Sequence, residues 1–445
     1  MGRFLLILCL CLSGFVAAAG DESWPSFRGP GARGVAETAA PTTWDLEKGT
    51  HVLWKQAIPG LAHSSPVVWG DRIFLTTSVP AEADDELKVG LYGDIAPVKN
   101  EVVQDLQVMA LDRKTGKVVW QETAFRGVPK IKRHTKATHA NSTPATDGKR
   151  VAAFFGSEGL YVYDIKGKLL WKKDFGVLDS GFFMVPQAQW GFGSSPVFHE
   201  DKLLVLADVQ KGSFLAAFDA KSGKELWRTE RSDVPTWGTP TVIEAGGKKQ
   251  VVVNGFRHMG GYDLASGKEL WKLHGTGDIP VPTPFEAHGL IYVSQAHGPG
   301  NPVYAIKPGA KGDITLGEGK TSNDHVAWSV PRGGSYMPTP IIVGDLLYVC
   351  RDNGALTVYR AKTGEQVYRQ RLGKGAAYTA SAVAAGDKVY FTSEDGDVYV
   401  VRAGETYDEV AVNALDEVTL ASPAVADGTL YFRTRGHLIA IGAKK

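Results

Sequence analysis

Ten residues of the 445-residue chain have side chains suited to recognition: His63, His139, Asn141, Trp190, Trp237, Arg257, His258, His297, Tyr336 and Arg351. Each precedes a short apolar stretch or lies in the turn that follows the next one. Aromatic rings stack on flat or sugar-like ligands, and guanidinium groups hold carboxylates and phosphates. The same side chains would also serve as a plug, bonded to loop backbone. Reactive patterns are missing. No histidines stand four apart on a helix, and no cysteine pair, Ser-His-Asp order or paired carboxylate motif occurs. The glycine-rich "PRGGSYM" lacks the strand–helix context of a phosphate site. The expectation is binding without a metal site, and no catalytic residue is assigned.

A repeat must position these ten residues. Each unit opens with Ser or Thr, usually before Pro: Ser65, Thr143, Ser195, Thr239, Thr283, Thr339, Ser381 and Ser422. A short strand follows, then a tight turn and a second strand, as in "VVWGDRIF" and "AVADGTLYF". The second turn often pairs an acidic residue or Asn with Gly ("GSEGLY", "RDNGAL", "SEDGDV"). A third strand leads to "KTGK", "KSGK" or "ASGK", and a fourth carries an aromatic residue. Period-2 alternation and short Gly turns make each unit a four-stranded antiparallel meander. Repeats of this length specify an all-β, eight-bladed β-propeller over residues 51–442. Trp120, Trp171, Trp227, Trp271, Trp328 and Tyr368 are expected to pack between blades. The eight hydroxyls are expected to satisfy backbone groups where strands crowd the axis. The last repeat stops after three strands. Its fourth is expected from "GTHVLWKQAI" near the N-terminus, closing the ring and removing exposed sheet edges.

The loops before strand one and between strands two and three share one face, here called the top. Three long departures from the repeat fall there: the acidic insertion 78–104, the basic loop 125–141 with its run 126–136, and residues 175–193. Long loops on a rigid ring are where binding concentrates. The basic run reads as a solvated loop, as a site for an anionic partner, or as a partner of the acidic "AEADDE" across the top. Basic and acidic side chains number 49 and 48, so bulk charge gives no case for nucleic acid. Residues 1–19 read as a secretory signal peptide cleaved after Ala19, followed by an extension over 20–50 and no transmembrane segment. A periplasmic or secreted location follows. Cys350 alone remains after cleavage and reads as a small buried hydrophobe.

The repeat "SSPVV-GD-IF", "DG-LY" and "D--TGK--W" resembles the PQQ-like repeat of quinoprotein propellers, in an exported bacterial subgroup. Similar repeats build quinoprotein alcohol dehydrogenases and the scaffold lipoprotein of the outer-membrane barrel-assembly machinery. The resemblance implies either a binding or scaffold propeller, with a protein partner or a small-molecule or glycan ligand on the top face, or a dehydrogenase using pyrroloquinoline quinone (PQQ) and calcium. The large quinoprotein dehydrogenases use a tryptophan floor, a disulfide of adjacent cysteines and a carboxylate-rich calcium site. Trp190 or Trp237 matches the floor, and Arg257 or Arg351 a group for a quinone carboxylate. The cysteine pair and the calcium ligands have no match. The binding propeller is therefore the expected function.

Overall fold

The computed structural model describes residues 23–82, 87–90, 95–99, 101–245, 247–298 and 300–444. Eight antiparallel sheets follow one another around an axis, one per repeat. In blade 3 the strands Val197–His199, Lys202–Ala207, Phe214–Asp219 and Glu225–Glu230 pair in sequence order, from the axis outwards. The other blades repeat this order, except that blade 8 borrows its outer strand. Period-2 burial appears only in outer strands such as Glu225–Glu230. The second and third strands are buried on both faces, as in Lys202–Ala207 and Phe214–Asp219. Blade packs on blade, so only the outermost strand meets water.

Near the axis the blades are joined by one repeated hydrogen bond. The backbone N–H of each opening residue donates to the opening hydroxyl of the next blade: Ser65 to Thr143 (2.9 Å), Thr143 to Ser195 (3.0 Å), Ser195 to Thr239 (3.2 Å) and Thr239 to Thr283 (3.1 Å). The series runs on from Thr283 to Thr339 (3.0 Å), Thr339 to Ser381 (2.9 Å) and Ser381 to Ser422 (2.8 Å). The eighth junction departs from it. Ser65 Oγ is buried with no partner among the described residues.

Farther out, the tryptophan of one blade docks on the Gly turn of the next. Trp54, Trp120, Trp171, Trp227 and Trp328 donate their indole N–H to Arg113, Ile165, Ala220, Leu264 and Ala361 carbonyls at 2.9–3.1 Å. A Cβ on Gly116, Gly167, Gly223, Gly267 or Gly364 would fall within 2.9 Å of the docked ring, and all five have positive φ. The motif "TGK" therefore serves the neighbouring blade as well as its own turn. Trp271 departs from this pattern and bonds Gln250 inside blade 4 (2.8 Å). A parallel strand Gly312–Asp313, from an insertion in blade 5, covers the outer edge of blade 4 there.

The N-terminal region closes the ring. Strand β1 (Ser23–Trp24) pairs with the inner strand of blade 1, and β2 (Val35–Ala36) runs parallel to that of blade 7. Strand β3 (Val52–Ala57) completes blade 8, antiparallel to His437–Ile441 with Trp54 opposite Ala440. Between β1 and β2 the chain crosses beneath the axis. Arg28 is fully buried there, donating to the carbonyls of Ala32 (3.1 Å), Arg33 (3.1 Å), Pro340 (3.0 Å) and Ala382 (2.8 Å). Burial lowers its guanidinium to about 9, which leaves it charged at neutral pH. This segment is thus part of the ring and forms the channel floor.

Cys350 is buried at the end of the strand Leu346–Cys350, and burial pushes its thiol up, away from the reactive thiolate. The inter-blade bond gives a direct prediction. Thr239→Val keeps the shape but strands the buried Ser195 N–H, at a cost of about 1–3 kcal/mol. The urea midpoint is expected to fall with an unchanged slope. An unchanged midpoint would show that the bond is dispensable.

Candidate functional site

All eight blades contribute side chains to one cavity of about 390 Å³, which places it on the axis. Phe27, next to the buried Arg28, forms its floor. The opening hydroxyls of Thr143, Ser195, Thr239, Thr339, Ser381 and Ser422 form the lower wall. The upper wall comes from top-face loops and has two unlike halves.

One half is aromatic. Phe182 stacks on Trp190 (5.4 Å between centroids, 3° between planes), and Trp190 meets Trp237 at 5.8 Å. His297 packs edge-on against Phe182 (6.2 Å) and 5.5 Å from Tyr336, extending the arc from blade 3 to blade 6. The indole N–H groups are used locally, Trp190 to Ile95 O (3.0 Å) and Trp237 to Gly191 O (2.9 Å). The rings therefore offer the cavity their aromatic carbon surface rather than donors.

The other half is polar and charged. Lys136, from the loop entering blade 2, reaches Glu394 of blade 7 at 2.8 Å, with side chains 17% and 2% exposed. Glu394 also accepts Gly90 N–H (2.8 Å) and the Thr379 hydroxyl, and Lys136 donates to Gly90 O. One ion pair thus ties loops of blades 1, 2 and 7 over the channel. His63 bonds Lys136 O through Nε2 (2.8 Å), and burial lowers its pKa to about 4, so it is neutral near pH 7. Asp352 faces the cavity from the second turn of blade 6.

Six of the ten residues singled out in the sequence line this cavity: His63, Asn141, Trp190, Trp237, His297 and Tyr336. Asn141 is committed to local structure, accepting from Thr138 N–H (2.9 Å) and donating to Phe192 O (3.0 Å). The other four lie elsewhere. His139 is buried against Glu101 at 2.9 Å, one shell out. Arg257 and His258 sit on a turn whose N–H groups donate to Asp233, and the His258 ring bonds Glu269 at 2.8 Å. Arg351 points away, to the Arg332 carbonyl. A second buried network fixes that part of the top face. Arg231, fully buried, pairs with Asp208 (2.8 Å) and Asp233 (3.1 Å). Sequence reasoning missed Phe27, Phe182, Asp352 and Glu394, and it did not place His134 or Lys136, the latter read only as part of the basic run, at the cavity. The acidic–Gly turns "RDNG" and "SEDG" marked two of them only as turn formers.

The basic run is also occupied from within. Arg126 pairs with Asp105 (2.9 Å) and Lys130 with Asp174 (3.2 Å). Lys132 donates to Lys99 O (2.6 Å), and Arg133 to Ala137 O (3.0 Å). These contacts engage the run locally, while the Arg126 side chain stays 66% exposed. Of the acidic "AEADDE", residues 83–86 lie outside the described residues.

The model of the family described as outer membrane protein assembly factor BamB matches residues 35–177 and 210–445. The chain belongs to that family. No curated protein matches it. Among solved structures, BamB from Moraxella catarrhalis is 14% identical with a TM-score of 0.55, covering 83% of this chain and 97% of its own. The quinohemoprotein alcohol dehydrogenase of Comamonas testosteroni is 14% identical with a TM-score of 0.51, covering 95% and 81%. The C-terminal WD40 domain of Sif2 is 10% identical with a TM-score of 0.56, covering 88% and 98%. At these identities the likeness is one of fold, and BamB-family membership leaves the function of this cavity to be argued from its own residues.

The Lys136–Glu394 pair gives the prediction for this site. Lys136→Met leaves a buried carboxylate without its cation and is expected to cost roughly 3 kcal/mol. Adding Glu394→Gln should recover part of that loss. A double-mutant cycle in urea measures the coupling, and strictly additive effects would show that the pair does not hold the loops.

Proposed function

We propose that this BamB-family protein is an extracytoplasmic binding propeller whose top face engages a protein partner and receives one of its groups, or a small ligand, in the axial cavity. The observation that carries this reading is the cavity itself: blind below at Phe27, walled by aromatic faces and reached from the top loops. Large apolar side chains stand exposed on the same loops, among them Val89, Ile95, Val128, Val177 and Met184. Exposed apolar groups around a concave site mark a protein contact surface. The family description, outer membrane protein assembly factor, agrees with a scaffold beyond the cytoplasm. No described helix is long and apolar enough to cross a membrane.

The dehydrogenase reading meets the wrong donor set. Calcium takes six to eight oxygens, several from carboxylates. The described cavity residues include two carboxylates, and Glu394 is already bound by Lys136, Gly90 and Thr379. A quinone carboxylate would need a free cation, and the cavity lysine is paired. Reconstitution with PQQ and calcium, followed by dye-linked assay of alcohols and sugars, is expected to give no turnover. Stoichiometric quinone binding with turnover abolished by Trp237→Ala would replace the binding reading with the enzyme.

A photo-crosslinking amino acid placed at Met184, on the top, is expected to capture a discrete protein adduct in the cell envelope. The same group at Lys166, in a turn on the opposite face, should not. Equal capture from both faces, or none from the top, would remove the top face as the docking side.

A further inference from the structure

Among the described residues, the charged groups around the cavity do not cancel. Lys136 is neutralised by Glu394 at 2.8 Å. His134 accepts the Lys136 backbone N–H at Nδ1 (3.0 Å). His63 is neutral near pH 7 because it is buried. His297 bonds Asp278 at 2.6 Å, so whatever charge it carries is met by its own carboxylate. Asp352 is left without a side chain in hydrogen-bond or ion-pair contact among the described residues; burial raises its pKa, and the Arg351 and Lys136 charges oppose that from farther away. The Arg351 guanidinium, next in sequence, turns to the Arg332 carbonyl. Tyr336, at the end of the aromatic arc, comes from the same blade as Asp352.

We infer that the cavity takes an organic cation, an ammonium or guanidinium group seated against the faces of Trp190, Trp237 and Tyr336 and paired with the Asp352 carboxylate. This rests on the reading of the cavity as the binding site. Ring faces carry negative electrostatic potential and attract cations most strongly where water is excluded. The N–H groups of both indoles are already bonded to carbonyls, so the rings give a ligand no hydrogen-bond donor. An anion would meet ring faces and an unpaired carboxylate. A neutral sugar could stack on the rings but would leave Asp352 without a counter-ion in a partly desolvated site. A cation uses both halves of the cavity. Lysine and arginine side chains of a partner and free organic amines share this chemistry.

Calorimetric titration of the whole protein with choline, and with its uncharged carbon isostere dimethylbutanol, tests the inference. Tryptophan fluorescence reports the same cavity. Choline should bind saturably and about tenfold or more tighter than the alcohol. Asp352→Asn should lower choline affinity by a similar factor and leave the alcohol and the unfolding midpoint unchanged. A blocked peptide with one lysine, compared with its norleucine version, separates the sources. A lysine peptide tighter than choline points to a partner's side chain, and a weaker one to a free amine. Equal affinity for each charged and uncharged pair, or choline binding that ignores Asp352→Asn, overturns the cation while keeping the cavity as a binding site. No binding of either pair, or of glucose, overturns the cavity reading itself.

Discussion

Seven of the eight blades open with a hydroxyl that accepts the backbone N–H of the blade before it. That bond is what allows eight separate sheets to share one axis. The inner strands are short, three residues in most blades, and they crowd together where little water reaches. A buried N–H without a partner costs more than a typical bond contributes. One small hydroxyl per blade meets this demand at seven junctions, in a side chain short enough to fit beside the axis. The same oxygens then form the lower wall of the cavity. The constraint that closes the ring also sets how wide and how polar its centre is.

The eighth junction lacks this bond, and other parts of the chain hold it. β1 pairs along blade 1, β2 along blade 7, and β3 supplies the missing outer strand of blade 8. Trp44 ties the same segment to blades 7 and 8, with its indole N–H on Ala414 O (3.2 Å) and its ring 5.5 Å from Phe432. A ring must join its first and last repeats, and here one continuous N-terminal segment does so. Arg28 lies buried in that segment with no carboxylate partner among the described residues. Four carbonyls from three parts of the chain accept its N–H groups. It therefore fixes the crossing strand by geometry as well as by charge, and the crossing strand closes the channel and supplies Phe27 as the floor.

The character of the cavity follows from how the loops spend their polar groups. The indole N–H groups of Trp190 and Trp237 are taken by nearby carbonyls, which leaves aromatic carbon rather than donors to line that half. Lys136 and Glu394 cancel one another while binding three loops together. The charge that remains is that of Asp352, in a turn whose sequence is ordinary for this repeat. An apolar half and a charged half in one small cavity suit a ligand with a cationic head more than a uniformly polar one.

The sequence by itself determined the repeat, the blade count, the aromatic docking positions and the closure by residues near Val52–Ala57. These rest on local rules. Alternation makes strands, Gly turns make hairpins, and a missing strand in the last repeat must come from elsewhere. Six of the ten singled-out residues reach the cavity because position before a first strand, or in a second turn, fixes a side chain near the axis. His139, Arg257, His258 and Arg351 satisfy the same rule and still turn away. Their partners, Glu101, Asp233, Glu269 and the Arg332 carbonyl, lie 11 to 38 residues distant, as with His258 and Glu269 (11) and His139 and Glu101 (38). Lys136 and Glu394 are 258 residues apart. Their pairing exists only once the ring has closed, so no local pattern announces it. The tertiary structure alone decided which charges cancel, and therefore which one is left to meet a ligand.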